Sequence, residues 1–181
     1  SIAHFWESRP GNGWDAVTNG WKTLNLGFAG DRVQNAIWRV THGEMDGYRA
    51  GTVVVLIGTN NHSWPGQYAE PAAVVAGIRR LLREIRMRQP EARIVLMSIF
   101  PRGCEPSEKH HVRAQRLNEM ANPLLHRLAD EEGVGWLDLT TTFVDGETGF
   151  CRPDLIGDSI HPSAAGTQFV FDLQKAALVA A

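Results

Sequence analysis

Cysteine, basic charge and long apolar runs are all scarce in this chain. Its two cysteines, Cys104 and Cys151, lie far apart and in no CxxC or zinc-type spacing, so neither a metal knuckle nor a redox dithiol is written into the sequence. Two buried or partly buried thiols are the expected state, with a disulfide as the alternative. A formal net charge of −2 gives no drive toward phosphate backbones or anionic surfaces, which argues against nucleic acid as a partner. No apolar run approaches the ~20 residues of a membrane-spanning helix. No secretory leader is visible, although the chain opens on Ser1 rather than Met, and the compartment stays open. Nucleotide signatures are missing as well: "GNGWDA" at 11–16 lacks the third glycine of a dinucleotide fingerprint, and there is neither a GxxxxGK[ST] loop nor a GxSxG elbow. His110 and His111 have no second cluster of matching spacing, so no metal is expected. His4, His42 and His126 have no motif partners and read as structural or rim residues.

What the chain does have is a regular alternation of elements. With 43% hydrophobic and 21% charged residues over 181 positions, and no repeat, low-complexity tract or linker, it reads as one domain spanning 1–181. Four short aliphatic or β-branched segments, 23–26, 52–57, 93–100 and 134–139, are expected to be strands covered on both faces. Asp31 is placed to cap a helix in which Val33, Ile37 and Val40 recur at helical spacing. Val74, Ile78, Leu81, Leu82 and Ile85 form the inner stripe of another, with Arg79, Arg80, Arg83, Glu84 and Arg86 on its solvated face. Residues 107–132 read as a long helix, interrupted or kinked near Pro123, and 163–180 as the last one. Strands alternating with helices imply an α/β fold, a parallel sheet with helices on both faces.

In an open parallel sheet, ligands bind beyond the carboxyl ends of the strands. That rule selects three loops. "NLGFAGD" at 25–31 has glycines that permit a tight turn and bring backbone N–H groups close to a ligand. "GTNNHSW" at 58–64 offers an amide donor at Asn60 or Asn61, with His62 and Trp64 as candidate pocket residues. "IGDSIHP" at 156–162 places Asp158 three residues before His161, a spacing that lets the carboxylate accept the Nδ1 proton and leaves Nε2 as a general base. The alternative is that Asp158 only caps the turn and His161 is an ordinary surface residue. The same letters contain Gly157-Asp158-Ser159, which reads like a nucleophile block. Ser159, however, lies between acid and base and reads as a bystander whose change to Ala should be mild.

Taken together, "LNLGFAGDRVQNAIWRVTHGEMDG", "VVVLIGTNNH", "QPEARIVLMSIFPRG" and "FVDGETGFCRPDLIGDSIHPSAAG" resemble, in order, the blocks of the SGNH (GDSL-type) esterase/lipase superfamily. The branch most similar is that of platelet-activating-factor acetylhydrolase-like esterases. The resemblance implies a three-layer α/β/α sandwich with a flavodoxin-like parallel sheet. It also implies that Gly30 and Asn60 are oxyanion-hole donors, Asp158 the orienting acid and His161 the base. The family nucleophile is the serine of an N-terminal Gly-Asp-Ser block followed by a tryptophan. Ser1, Ile2 and Trp6 look like that block without its Gly-Asp, which makes Ser1 the implied nucleophile and its N–H another oxyanion donor.

In that family the strand before the serine is central, so an upstream N-terminal segment or another chain is expected to supply it between 23–26 and 52–57. Unfilled, the gap would cost about 1–3 kcal/mol for each unsatisfied backbone group. The activity the resemblance implies is hydrolysis of a short-chain ester, with acetyl as the expected acyl group, of a carbohydrate or phospholipid-like small molecule through an acyl-enzyme, with no metal or cofactor. A thioesterase or lysophospholipase of the same fold is the alternative within hydrolases, and a catalytically silent binding or assembly module the alternative outside them. Homodimerisation is compatible with the resemblance.

Overall fold

The structure, a computed structural model, describes residues 2–8, 14, 18, 21–63 and 68–179. Strands β1 (Thr52–Val55), β2 (Arg93–Met97) and β3 (Gly135–Leu137) form a parallel sheet in that order. Val53 lies opposite Ile94, and Leu96 opposite Trp136. The helices are α1 (Ile2–Ser8), α2 (Val33–Thr41), α3 (Pro71–Arg88), α4 (Lys109–Glu132), α5 (Thr140–Phe143) and α6 (Ala164–Val179).

β2 is the most deeply buried of the strands, and its side chains feed two separate cores. Ile94 and Leu96 join Val33 and Val40 of α2, Val74, Ile78, Leu81, Leu82 and Ile85 of α3, and Leu125 and Leu128 of α4. Met97 joins Ile2 and Trp6 of α1, Phe143 of α5, and Val170 and Phe171 of α6. The sheet is thus covered by helices on both sides, and each fully buried Ile, Leu or Phe contributes about 1.5–3 kcal/mol. The inner stripe of α3 is buried as its spacing predicts. Its arginine face is partly engaged: Arg79 and Arg83 reach Glu132 of α4 at 3.0 and 2.8 Å.

Several expectations need correction. Residues 23–26 form no strand among the described residues, because no neighbouring backbone offers them a ladder. Side-chain bonds hold the segment instead: Asn25 Nδ2 donates to Ala3 O at 2.8 Å, and Asn25 Oδ1 accepts the Gly27 N–H at 3.0 Å. β1 is not covered on both faces; Thr52 and Val54 are exposed, since its far edge has no strand beside it among the described residues.

The other strands are shorter than the apolar runs. Ser98 Oγ accepts the Leu139 N–H at 2.9 Å, and Asn122 of α4 clasps Ile99, taking its N–H at 2.8 Å and donating to its carbonyl at 3.2 Å. Side-chain amides therefore replace ladder partners where the chain leaves β2. Helix α4 runs uninterrupted through Pro123. Pro123 and Glu119, whose carbonyl loses its acceptance of that N–H, are both exposed, so water can satisfy the carbonyl. Asp31 does not cap α2; its carboxylate pairs with Arg39 at 2.9 Å, and Asn61 Oδ1 accepts the Val33 N–H at 3.0 Å instead. Finally, Cys104 and Cys151 are joined in a disulfide rather than standing as separate thiols, because the loop after β2 and the segment before 156–162 are brought side by side, Cys151 N–H donating to Gly103 O at 3.0 Å.

Candidate active site

The loop 156–162 is closed at its base by an antiparallel bridge between Ile156 and Pro162 and by the Gly157 N–H donating to His161 O at 3.1 Å. Inside it, Asp158 uses both carboxylate oxygens. Oδ1 accepts the backbone N–H groups of His161 at 2.7 Å and Ile160 at 3.2 Å, while Oδ2 lies 2.8 Å from His161 Nδ1. Asp158 is therefore both turn cap and imidazole partner, so the two sequence-level alternatives are one arrangement. Burial opposes its ionisation, but the bonds from the His161 N–H and ring outweigh burial and set its pKa below the ordinary value. An ionised carboxylate on Nδ1 fixes the tautomer that presents Nε2 as a base. Phe5 of α1 packs edge-on against the His161 ring, centroids 5.0 Å apart.

Helix α1 joins this loop to the glycine-rich one. The His4 ring nitrogen Nδ1 lies 3.1 Å from Gly27 O, and a Cβ on Gly27 would fall 2.7 Å from both the Ala3 Cβ and the His4 N. Only glycine allows that approach. Gly30 sits at φ +82 in the turn before α2, exposed and with open space where a side chain would project. Arg39 stacks over the Phe28 ring at 3.6 Å and so holds this turn on α2.

The third loop leaves β1 through Gly58, at φ +120 and with Ile99 Cδ1 2.8 Å from the place of a Cβ, and turns through a 3-10 helix, Thr59–His62. Asn60 Nδ2 donates to Asp31 O at 2.9 Å, which ties it to the Gly30 turn and leaves its second N–H for another acceptor. A cleft of about 150 Å³ beside β1 has Val53–Ile57, Leu26–Phe28, Ile2, Ala3, Gly58 and Asn60 among its lining residues.

Helix α1 thus touches His161 through Phe5 and lines the cleft with Asn60 through Ile2 and Ala3, while Asn60 is bonded to Asp31 beside Gly30. Ser1 and Trp64 lie outside the described residues; Ile2, next to Ser1, lines the cleft with Asn60. His62 does not line it. Its ring is fully buried at 0% exposure, with Nδ1 2.8 Å from Asn118 Oδ1. Asn118 Nδ2 donates to Phe100 O, so its oxygen must accept and His62 Nδ1 carries the proton. Burial lowers the His62 pKa and so disfavours the charged ring. No group of three or more His, Cys, Asp or Glu side chains that could hold a metal ion occurs among the described residues.

Sequence reasoning missed the polar frame behind these loops. Gln115, Asn118 and Asn122 form a buried amide stripe on α4 that binds Arg102 N–H (3.0 Å), Phe100 O (3.1 Å) and the Ile99 backbone. Amides at a helical period among Ala114, Ala121 and Leu125 were the available signal. Arg102, 3% exposed and bonded through Nη1 to Ser63 Oγ, carried no such signal.

A parallel α/β sheet with an Asp–His pair and amide donors gathered beyond its carboxyl ends defines a class of hydrolase-like domains. The chain belongs to the GDSL-like lipase/acylhydrolase family, whose sequence profile matches residues 1–169. It is 33% identical over 153 residues to the platelet-activating factor acetylhydrolase IB subunit alpha1 of Pongo abelii, a match covering 84% of this chain and 62% of that protein. The chain therefore spans about 62% of the length of the curated relatives it matches. Among solved structures it is similar to a GDSL-like lipase from Bacteroides thetaiotaomicron, with TM-score 0.78 and 17% identity, covering 99% of this chain and 84% of that one. A carbohydrate acetylesterase from Sinorhizobium meliloti gives TM-score 0.69 and 15% identity, with 90% and 81% covered. These structural likenesses establish the fold.

Proposed function

We propose that the chain is a carboxylic ester hydrolase that works through an acyl-enzyme. The observation that supports this most directly is the Asp158–His161 contact of 2.8 Å at the rim that also carries Gly30 and Asn60. Ser1 is the nucleophile: its Oγ attacks the ester carbonyl while His161 Nε2 takes the proton, then returns it to the leaving alcohol. Asp158 stabilises the imidazolium formed in between. The N–H groups of Ser1 and Gly30 and the amide of Asn60 receive the oxyanion. Water repeats the sequence on the acyl-enzyme and frees Ser1.

The acyl group is short, most simply acetyl. A platelet-activating factor acetylhydrolase subunit among the relatives and a carbohydrate acetylesterase among the structural neighbours share that acyl group and differ in the alcohol. A carbohydrate alcohol is favoured because no extended apolar lipid-docking segment occurs in the sequence. The reading includes a strand partner: an extended segment, from additional polypeptide or another chain, fills the cleft beside β1 and pairs with its outer edge.

A p-nitrophenyl ester chain-length series, run beside a thioester, an acetylated sugar and an acetylated lysophospholipid, tests the reaction and the alcohol together. Fastest turnover of acetate and of the acetylated sugar is expected, with fluorophosphonate labelling at Ser1. Absence of both turnover and labelling would speak against the esterase reading and for the silent-module alternative.

A further inference from the structure

Ser159 is the only non-glycine residue with positive φ among the described residues, at φ +62, a conformation that a side chain disfavours. It is also buried. The conformation is what lets Asp158 Oδ1 reach forward to the Ile160 and His161 N–H groups while Oδ2 meets the ring. Something outside the loop must therefore hold Ser159 there. Its Oγ lies 2.7 and 2.6 Å from the two carboxylate oxygens of Glu108, and its carbonyl accepts the Gly103 N–H at 2.9 Å. Glu108 itself is anchored, its Oε2 accepting the Cys104 N–H at 3.1 Å and the Glu105 N–H at 3.3 Å. The disulfide from Cys104 to Cys151 fixes that brace to the chain leading into the loop. Hydroxyl-to-carboxylate bonds of this length are charge-assisted and stronger than neutral ones.

We propose that Glu108 is a positioning residue: by binding Ser159 it holds the 156–162 loop in the conformation that pairs Asp158 with His161. Ser159 takes no part in the chemistry but is the handle through which Glu108 acts, so its role is larger than that of a bystander. The consequence for catalysis rests on the esterase reading above; the consequence for the loop does not.

The test uses the full chain with p-nitrophenyl acetate and compares Glu108→Ala, Glu108→Gln, Ser159→Gly and Glu108→Ala combined with Ser159→Gly. Glu108→Ala is expected to lower kcat on the order of 10–100-fold with KM within about twofold, the pattern of a misplaced base rather than lost binding. Glu108→Gln keeps an acceptor for Ser159 Oγ and should recover most of that loss. Glycine adopts positive φ without an anchor, so Glu108→Ala should cost less than about threefold more on the Ser159→Gly background. Unchanged kcat in Glu108→Ala, a change confined to KM, or an equal loss on the glycine background would overturn the proposal. Hydrogen exchange of the Ile160 and His161 amides is read in the same proteins and should quicken about 10-fold or more in Glu108→Ala. A parent chain without hydrolysis would overturn the esterase reading alone; unchanged exchange would overturn this one.

Discussion

The loop carrying Asp158 and His161 is tied down by a backbone bridge, a carboxylate and a disulfide, whereas the segment 21–28 on the other flank of α1 is held by a few side-chain bonds and leaves Leu24 64% exposed. One helix touches both: α1 presents Phe5 to His161 and Ala3 to Gly27. The difference separates the parts of the proposed site by how they are fixed. The acid–base pair is organised by contacts within this chain. The proposed oxyanion side, at Asn60, borders the cleft beside β1 and has no comparable cross-link among the described residues.

The largest effect should come from the proposed nucleophile. Ser1→Ala should reduce turnover of p-nitrophenyl acetate by about 10³-fold or more and abolish fluorophosphonate labelling, leaving the residual that binding and oxyanion donors supply. Next comes the tied side: replacing Cys104 and Cys151 together by Ser removes a cross-link over a sequence separation of 47. Denaturant unfolding should show a loss of about 4 kcal/mol on the chain-entropy estimate. Because that bond braces the Glu108 loop, hydrogen exchange should quicken at 156–162 and stay unchanged at 21–31. Equal changes on both flanks would erase the contrast.

On the open side, Asn60→Ala should cost about 10²–10³-fold in kcat, the scale of a lost oxyanion donor, with the Asp158–His161 contact intact by crystallography. The smallest expected effect is a pH dependence. Burial works against the Glu108 charge, yet the bonds from Ser159 Oγ and the Cys104 N–H prevail and hold its pKa below the usual value. A depressed folded pKa contributes stability above the unfolded pKa and loses it as pH falls through the folded one. The Tm difference between the parent chain and Glu108→Gln should therefore be present at neutral pH and vanish on acidification below the usual carboxylate range. Asp158 has the same sign, but it is present in both proteins and cancels in the difference.

The Asp158–His161 pair was legible because it is local. Three residues in one turn put a carboxylate within reach of an imidazole. The inner stripe of α3 was legible for the same reason, a helical period acting over a few residues. Glu108 was not, because it meets Ser159 across a sequence separation of 51. His62 was misread as a pocket residue since its burial depends on Asn118, 56 residues away. The run 23–26 has strand composition, yet composition cannot supply the neighbouring backbone that a strand requires.

By itself, then, the sequence determined the alternation of β-prone and helical segments, the glycines of the 25–31 turn and the Asp-x-x-His spacing, since each is set by short-range sterics or periodicity. Only the tertiary structure decided that Cys104 meets Cys151, that α4 lends its amides to the chain leaving β2, and that Ser159 is held by Glu108. Those contacts arise because parallel crossovers bring the ends of distant strands to one rim, where the partners that meet are chosen by packing rather than by spacing along the chain.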